Sequence, residues 1–209
     1  MPLHGERPMK TTSWWRTLDR HSLEGIISLG LLGVGLSILF PFLGVTGLIP
    51  PTETREVHLD DRAQVTAPSA DGMTLQGTHQ AELTVSDPGL LDRVLLVGPQ
   101  IVQGILVLAI LTLIMQIATT FRADQEIFDR RNTRRLFAVA ATLLVTATFV
   151  PALDVLATTV LVSGTPMEQA VEISYELSAL PVLLSFLAAG LAGAFGYGTR
   201  LRADTEGLV

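Results

Sequence analysis

Four apolar runs, each long enough to cross a lipid bilayer, constrain this chain more than any other feature. A hydrocarbon core about 30 Å thick takes about 20 helical residues. The runs span Leu23 to Ile49, Leu95 to Ala118, Leu136 to Val162 and Ala179 to Tyr197. Composition agrees. The 209-residue chain is 48% hydrophobic and only 16% charged, where soluble domains average about 25% charged. Its mean hydropathy is +0.46. Arg7, Lys10, Arg16 and Arg20 precede the first run, as they would a secretory leader. That run exceeds a leader's apolar stretch of about 7–15 residues, and no small-x-small cleavage site closes it. An uncleaved anchor is expected.

The polar segments between the runs set an orientation. Segments 1–22, 119–135 and 198–209 together hold 11 of the 14 basic residues, and segment 163–178 holds none. Basic loops stay in the cytoplasm. Both termini and the 119–135 loop are therefore expected inside, with 50–94 and 163–178 outside. "FDRRNTRRL", with Arg130, Arg131, Arg134 and Arg135, is first a topological anchor between the second and third runs. Trp14 and Trp15, beside Arg16 and Arg20, suit the inner interface.

The outer segment 50–94 carries strand-like pieces: "REVHL" (Arg55–Leu59), "AQVTA" (Ala63–Ala67), "MTLQG" (Met73–Gly77) and "AELTV" (Ala81–Val85). Asp71-Gly72 reads as a hairpin turn. A segment this short buries little core alone, so it is expected to lean on 163–178 or on a second subunit. The fold expected is a membrane all-α protein: a four-transmembrane-helix bundle with a small extracytoplasmic antiparallel β subdomain between helices 1 and 2. Its order is 1–22 cytoplasmic, 23–49 first span, 50–94 β-rich loop, 95–118 second span, 119–135 basic loop, 136–162 third span, 163–178 acidic outer loop, 179–197 fourth span and 198–209 cytoplasmic tail.

Chemistry is sparse. There is no cysteine, which removes disulfides, thiolate metal sites and thiol catalysis. The net charge of -6 speaks against direct nucleic-acid binding. Ser28, Ser37 and Ser185 have no histidine within the spans to activate them. No cofactor is expected. His58 and His79 lack metal-ligand spacing and read as surface strand residues, so no metal is expected either. Glu168, Glu172 and Glu176 recur at four-residue spacing, one acidic stripe if 163–178 is helical. A solvated face is the first reading of that stripe, and capture of a cation or basic ligand the sharper one. Asp154 is the ionisable residue inside a run that calls for a partner. It sits toward the outer end of the third run, where Gln103 of the second could hydrogen-bond to it. Small residues spaced by four mark close-packing faces: Ser185, Ala189 and Gly193 in the fourth run, Gly33 and Ser37 in the first. Such faces serve an internal contact or a homo-oligomer equally well.

Two stretches carry a resemblance. In "IFDRRNTRRLFAVA", Phe128, Asn132, Arg135 and Leu136 fit one motif; in the tail "FGYGTRLRADTEGLV", Phe195, Gly198, Leu201, Asp204, Glu206 and Val209 fit another. In these the chain resembles the bacterial DUF2975 membrane proteins. It departs at Ile127, where that family usually has Pro. The resemblance implies a bacterial inner-membrane location and, because such proteins are often encoded beside a small helix-turn-helix regulator, a cytoplasmic partner of that kind. It carries over no catalytic residue. The two motifs have complementary charge, so Asp204 and Glu206 are expected to pair with the arginines and to share in partner binding. The function expected is that of a non-enzymatic regulatory or sensory membrane protein. A transporter or transport accessory subunit built around Asp154 is the alternative, and a membrane enzyme ranks last.

Overall fold

The structure is a computed structural model that describes residues 14–59, 69–70, 73–77, 80–122 and 130–206, with side chains described for 25–59, 81–120 and 130–201. Four long helices dominate: α1 (Trp14–Thr46), α2 (Leu90–Arg122), α3 (Arg130–Val162) and α4 (Ala179–Glu206). Each is long and apolar enough to cross a membrane. α2 extends past both ends of its apolar run, α3 begins earlier and α4 ends later than theirs, and α1 begins earlier but stops at Thr46, short of Ile49. Hydropathy falls at Asp92, Arg93 and Arg130, but arginine is a good helix former and Asp92 sits in the first turn of α2, where a carboxylate suits the helix dipole. The tail follows the same rule: it is the last turns of α4 up to Glu206, not a separate strand of chain. The side chains of Asp204 and Glu206 lie outside the described residues, as does Val209.

Local chemistry sets the ends. Gly47, at φ 77°, closes α1. Its N–H reaches Gly44 O at 3.2 Å and the next N–H, of Leu48, reaches Leu43 O at 3.1 Å. This is the paired carbonyl capping that a left-handed residue permits, with Pro50 and Pro51 barring further helix. At the start of α2, Gly89 N–H donates to Asp92 Oδ2 at 2.9 Å. That bond satisfies a backbone donor at the helix start and places a negative charge at the positive end of the dipole.

Consecutive helices pack pairwise, α1 on α2, α2 on α3 and α3 on α4. Small residues permit the close approaches, but not all those expected. Ile38 fills the space above Gly104, where a Cβ would stand 2.4 Å from Ile38 Cγ1. On α4 the buried file is Ser185, Ala188 and Ala192, and Gly196 meets Thr133. Gly193, Gly190 and Gly33 face open space. Four-residue spacing identified a small-residue helix without fixing which of its faces packs, because α4 has small residues around much of its circumference.

Among the described residues between α1 and α2 are four strands, β1 (Thr54–His58), β2 (Ser69–Ala70), β3 (Met73–Gly77) and β4 (Gln80–Val85). They form an antiparallel sheet in the order β1-β4-β3-β2. Ala70 pairs with Met73 across the Asp71-Gly72 connection. "AQVTA" and His79 lie outside the described residues. Strand alternation turns Val57, Ala81, Leu83 and Val85 inward onto Leu96 and Val97 of α2, Leu161 and Val162 of α3, and Met167 and Val171 beyond it. The sheet thus has no core of its own and borrows one from the helix ends.

Segment 163–178 corrects one expectation. Only Pro166–Gln169 is helical, as a short 3-10 turn. Val171 bridges Leu59, Glu172 N–H donates to His58 O at 2.9 Å, and 172–178 runs on without helix or strand partner to α4. The three glutamates therefore share no helical stripe. Glu168 instead accepts from Gly164 N–H at 3.0 Å. Thr165 and Pro166 start a turn, but the β-branched and bulky "VEISY" that follows prefers extended backbone.

Gly104→Ala should lower thermal stability in detergent by about 1–3 kcal/mol, since Ile38 is stiff in a helix and cannot step aside freely. Gly193→Ala, which meets nothing, should leave the melting midpoint unchanged.

Candidate functional site

Arg55 hydrogen-bonds the sheet to two helices at once. Arg55 lies on the inward face of β1, beside Val57, with its side chain only 7% exposed. Nη1 donates to Leu95 O of α2 at 2.8 Å. Nη2 donates to Asp154 O of α3 at 3.1 Å and to Asp154 Oδ1 at 2.5 Å. One guanidinium therefore bridges three elements. Its hold on Leu95 has a cause in the sequence. Four residues on stands Pro99, which has no N–H to give the Leu95 carbonyl. The planar fork of an arginine supplies the missing donor and still reaches a carboxylate. On α3, Thr158 Oγ1 adds a bond to Asp154 O at 2.9 Å.

Asp154 has found its partner outside the helices. Gln103 lies near it, but the Asp154 carboxylate is paired with Arg55. Asp154 and Gln103 both line a cleft of about 360 Å³ bordered by β1, α2, α3 and the extended segment after the 3-10 turn. Asp154 remains 60% exposed toward it. Glu56, His58, Glu172 and Glu176 also line it, with Val57, Pro99, Val150, Pro151 and Ile173 as its apolar wall. No group of three or more His, Asp or Glu side chains converges to hold a metal ion among the described residues.

The opposite end of the α2–α3 pair carries a second polar joint. Asn132 is fully buried. Arg135 Nη1 donates to Gln116 O at 3.0 Å, Thr120 Oγ1 at 3.1 Å and Asn132 Oδ1 at 3.3 Å. Thr120 Oγ1 also donates to Gln116 O at 2.9 Å. The arginine caps carbonyl-rich backbone near the C-terminal end of α2, where a cation is favoured by the helix dipole. This divides the four arginines expected to act together. Arg135 is engaged between the two helices, whereas Arg130, Arg131 and Arg134 are exposed along the first turns of α3.

Reading the sequence alone missed Arg55 and the depth at which Asn132 is buried. The signal for Arg55 was present in two halves: a carboxylate within an apolar run, and a proline that leaves a carbonyl without its helical donor four residues earlier. Neither names the arginine that answers both.

Arg55→Met, apolar and of similar length, should destabilise the protein by about 1–3 kcal/mol, because it strands the Leu95 carbonyl, while the largely exposed Asp154 carboxylate can turn to water. Asp154→Asn, at a largely exposed group, should cost less, about 1 kcal/mol. Chemical denaturation in mixed micelles, followed by far-UV dichroism, gives the comparison.

No family model, curated protein or solved structure matches the chain.

Proposed function

We propose that this protein is a non-enzymatic, multi-pass membrane protein of regulatory or sensory type, with both termini cytoplasmic and the sheet outside. It reads as a DUF2975-like protein of a bacterial inner membrane. The observation that carries the reading is the Arg55 bridge. It joins the sheet to α2 and α3 together, and the far ends of the same two helices share the buried Asn132–Arg135 joint. A change at the sheet can therefore bear on the relative position of two helices whose other ends present exposed arginines. Allosteric coupling of this kind requires a contiguous packed element with two arrangements. The α2–α3 pair, held by Arg55 at one end and Arg135 at the other, is the contiguous element proposed to carry it.

The partner is a cytoplasmic protein, a small helix-turn-helix regulator on the resemblance described above, docking on Arg130, Arg131 and Arg134. Asp204 and Glu206, on the last turns of α4, compete for the same charges. A transport role would need a polar path between the two joints. The described polar side chains along that stretch, such as Ser185 donating to Ala140 O and Thr142 to Ala138 O, instead satisfy helix carbonyls.

Changing Arg130, Arg131 and Arg134 to Gln should abolish recovery of a small DNA-binding protein with the tagged membrane protein, while Arg135 keeps the helix joint. The matching Lys variant preserves the positive charge that sets topology and loses the guanidinium fork. It should insert normally and recover less partner than wild type. Equal recovery of the partner by all three would remove the arginines from docking. Solute flux that depends on Asp154 would favour transport instead.

A further inference from the structure

We infer that residues 172–176 are a strap that closes the cleft by zipping onto the outer edge of β1 as a further strand. The structure holds the strap open, with one bond of the new ladder already made. The inference stands on the fold alone and goes beyond the docking reading above.

The strap has the sequence of a strand and no ladder. "VEISYELS", Val171 to Ser178, alternates apolar and polar residues without a break, the pattern of a half-buried strand. The backbone of 173–177 makes no backbone–backbone hydrogen bond among the described residues. The chain is nonetheless extended. Val171 packs with Leu161 and Val162, whereas Tyr175 Oη donates to Thr148 O at 2.9 Å. Thr148 and Val162 are 14 residues apart, about 20 Å of helix. Four extended residues cover about 13 Å of that, and the tyrosine side chain covers the rest.

The edge it faces is complementary. β1 ends the sheet order. Val85 N–H donates to Glu53 O at 2.8 Å, so by alternation Thr54, Glu56 and His58 turn their backbone groups away from β4. His58 O already accepts from Glu172 N–H, and Val171 bridges Leu59. Those two contacts fix a register. Continued antiparallel, it sets Ile173 opposite Val57, Ser174 opposite Glu56, Tyr175 opposite Arg55 and Glu176 opposite Thr54. The phase also fits. Val171 and Leu59 are buried in one cluster, so Ile173 and Tyr175 follow onto the face that buries Val57 and Arg55. On the other face Ser174 can donate to Glu56 and Thr54 to Glu176, and no carboxylate stands directly opposite another. A slip of one residue would put every strap side chain on the wrong face.

The cleft is the gap between the two edges, with Glu56 and His58 on one side and Glu172, Ser174 and Glu176 on the other. Tyr175 is the tether that keeps it open. Arg55 holds Asp154, six residues from Thr148 and so about 9 Å along α3. Closing sets Tyr175 beside Arg55 and takes its hydroxyl off Thr148 O. Tether and ladder therefore exclude one another, and the strap has two arrangements rather than a continuum.

The chain has no cysteine, so disulfide trapping tests the register directly. Glu56→Cys with Ser174→Cys places thiols on directly opposed residues, whose Cα spacing of about 5.5 Å in a closed ladder suits a disulfide. In neutral detergent with copper phenanthroline, this variant should cross-link within the monomer, read as loss of maleimide labelling without a dimer band. Glu56→Cys with Ile173→Cys puts the second thiol on the opposite face and should react at least about tenfold more slowly. Tyr175→Phe, which removes the tether and keeps the ring, should speed the Glu56–Ser174 link by about threefold or more. Thr54→Cys with Glu176→Cys is a second pair in register and serves if the first variant does not fold. No cross-link between labelling-competent thiols, equal rates for the Ser174 and Ile173 pairs, or no response to Tyr175→Phe would overturn the inference. No cytoplasmic partner enters the test, so it and the docking reading can each fail with the other intact.

Discussion

The Arg55 guanidinium is the interaction on which the rest of this structure depends. A sheet of four short strands has too little apolar surface to stand alone, and here it takes its core from the ends of α2 and α3. Apolar packing of that kind is non-directional and would tolerate sliding. Arg55 makes it directional. It is buried on β1, donates to a carbonyl that Pro99 has deprived of its helical bond, and pairs with a carboxylate on the neighbouring helix. A buried charge is costly unless such partners are all present, so the three elements are specified together or not at all.

The same logic appears at the other end in a different form. Asn132, Thr120 and Arg135 close the α2–α3 pair through side chain to backbone bonds near the C-terminal end of α2. Between the two joints Ile110 and Leu113 of α2 pack in one apolar cluster with Val139, Ala140 and Leu143 of α3. The threonines there return their hydroxyls to their own helix carbonyls, as Thr142 and Thr146 do. Polar specificity is concentrated at the ends and close packing fills the middle.

Much of the fold was legible in the sequence because its signals are long. Four apolar runs and alternation in "REVHL" and "AELTV" each reflect a physical requirement repeated over several residues. The site was less legible because its parts are single residues far apart in the chain. Arg55 and Asp154 are separated by 99 positions, and no local pattern joins them. Asp154 announced that it needed a partner, and Gln103 lay on the expected neighbouring helix, but the arginine came from the sheet. The glutamates after Gly164 misled for another reason. Their spacing is helical, whereas Val171, Ile173 and Tyr175 favour extended chain, and Val171 and Glu172 pair with Leu59 and His58 at the end of β1. On α4 the abundance of small residues named the helix and left its phase open.

The central claim is that Arg55 serves α2 because Pro99 leaves Leu95 without a donor. A double-mutant cycle between Arg55→Met and Pro99→Ala, read by reversible unfolding in mixed micelles, tests it most directly. Alanine at 99 restores the helical N–H, so the cost of losing Arg55 should fall by about 1 kcal/mol in that background. Equal costs in both backgrounds would show that Arg55 does not act through the orphaned carbonyl, and the account of how sheet and helices are joined would fail.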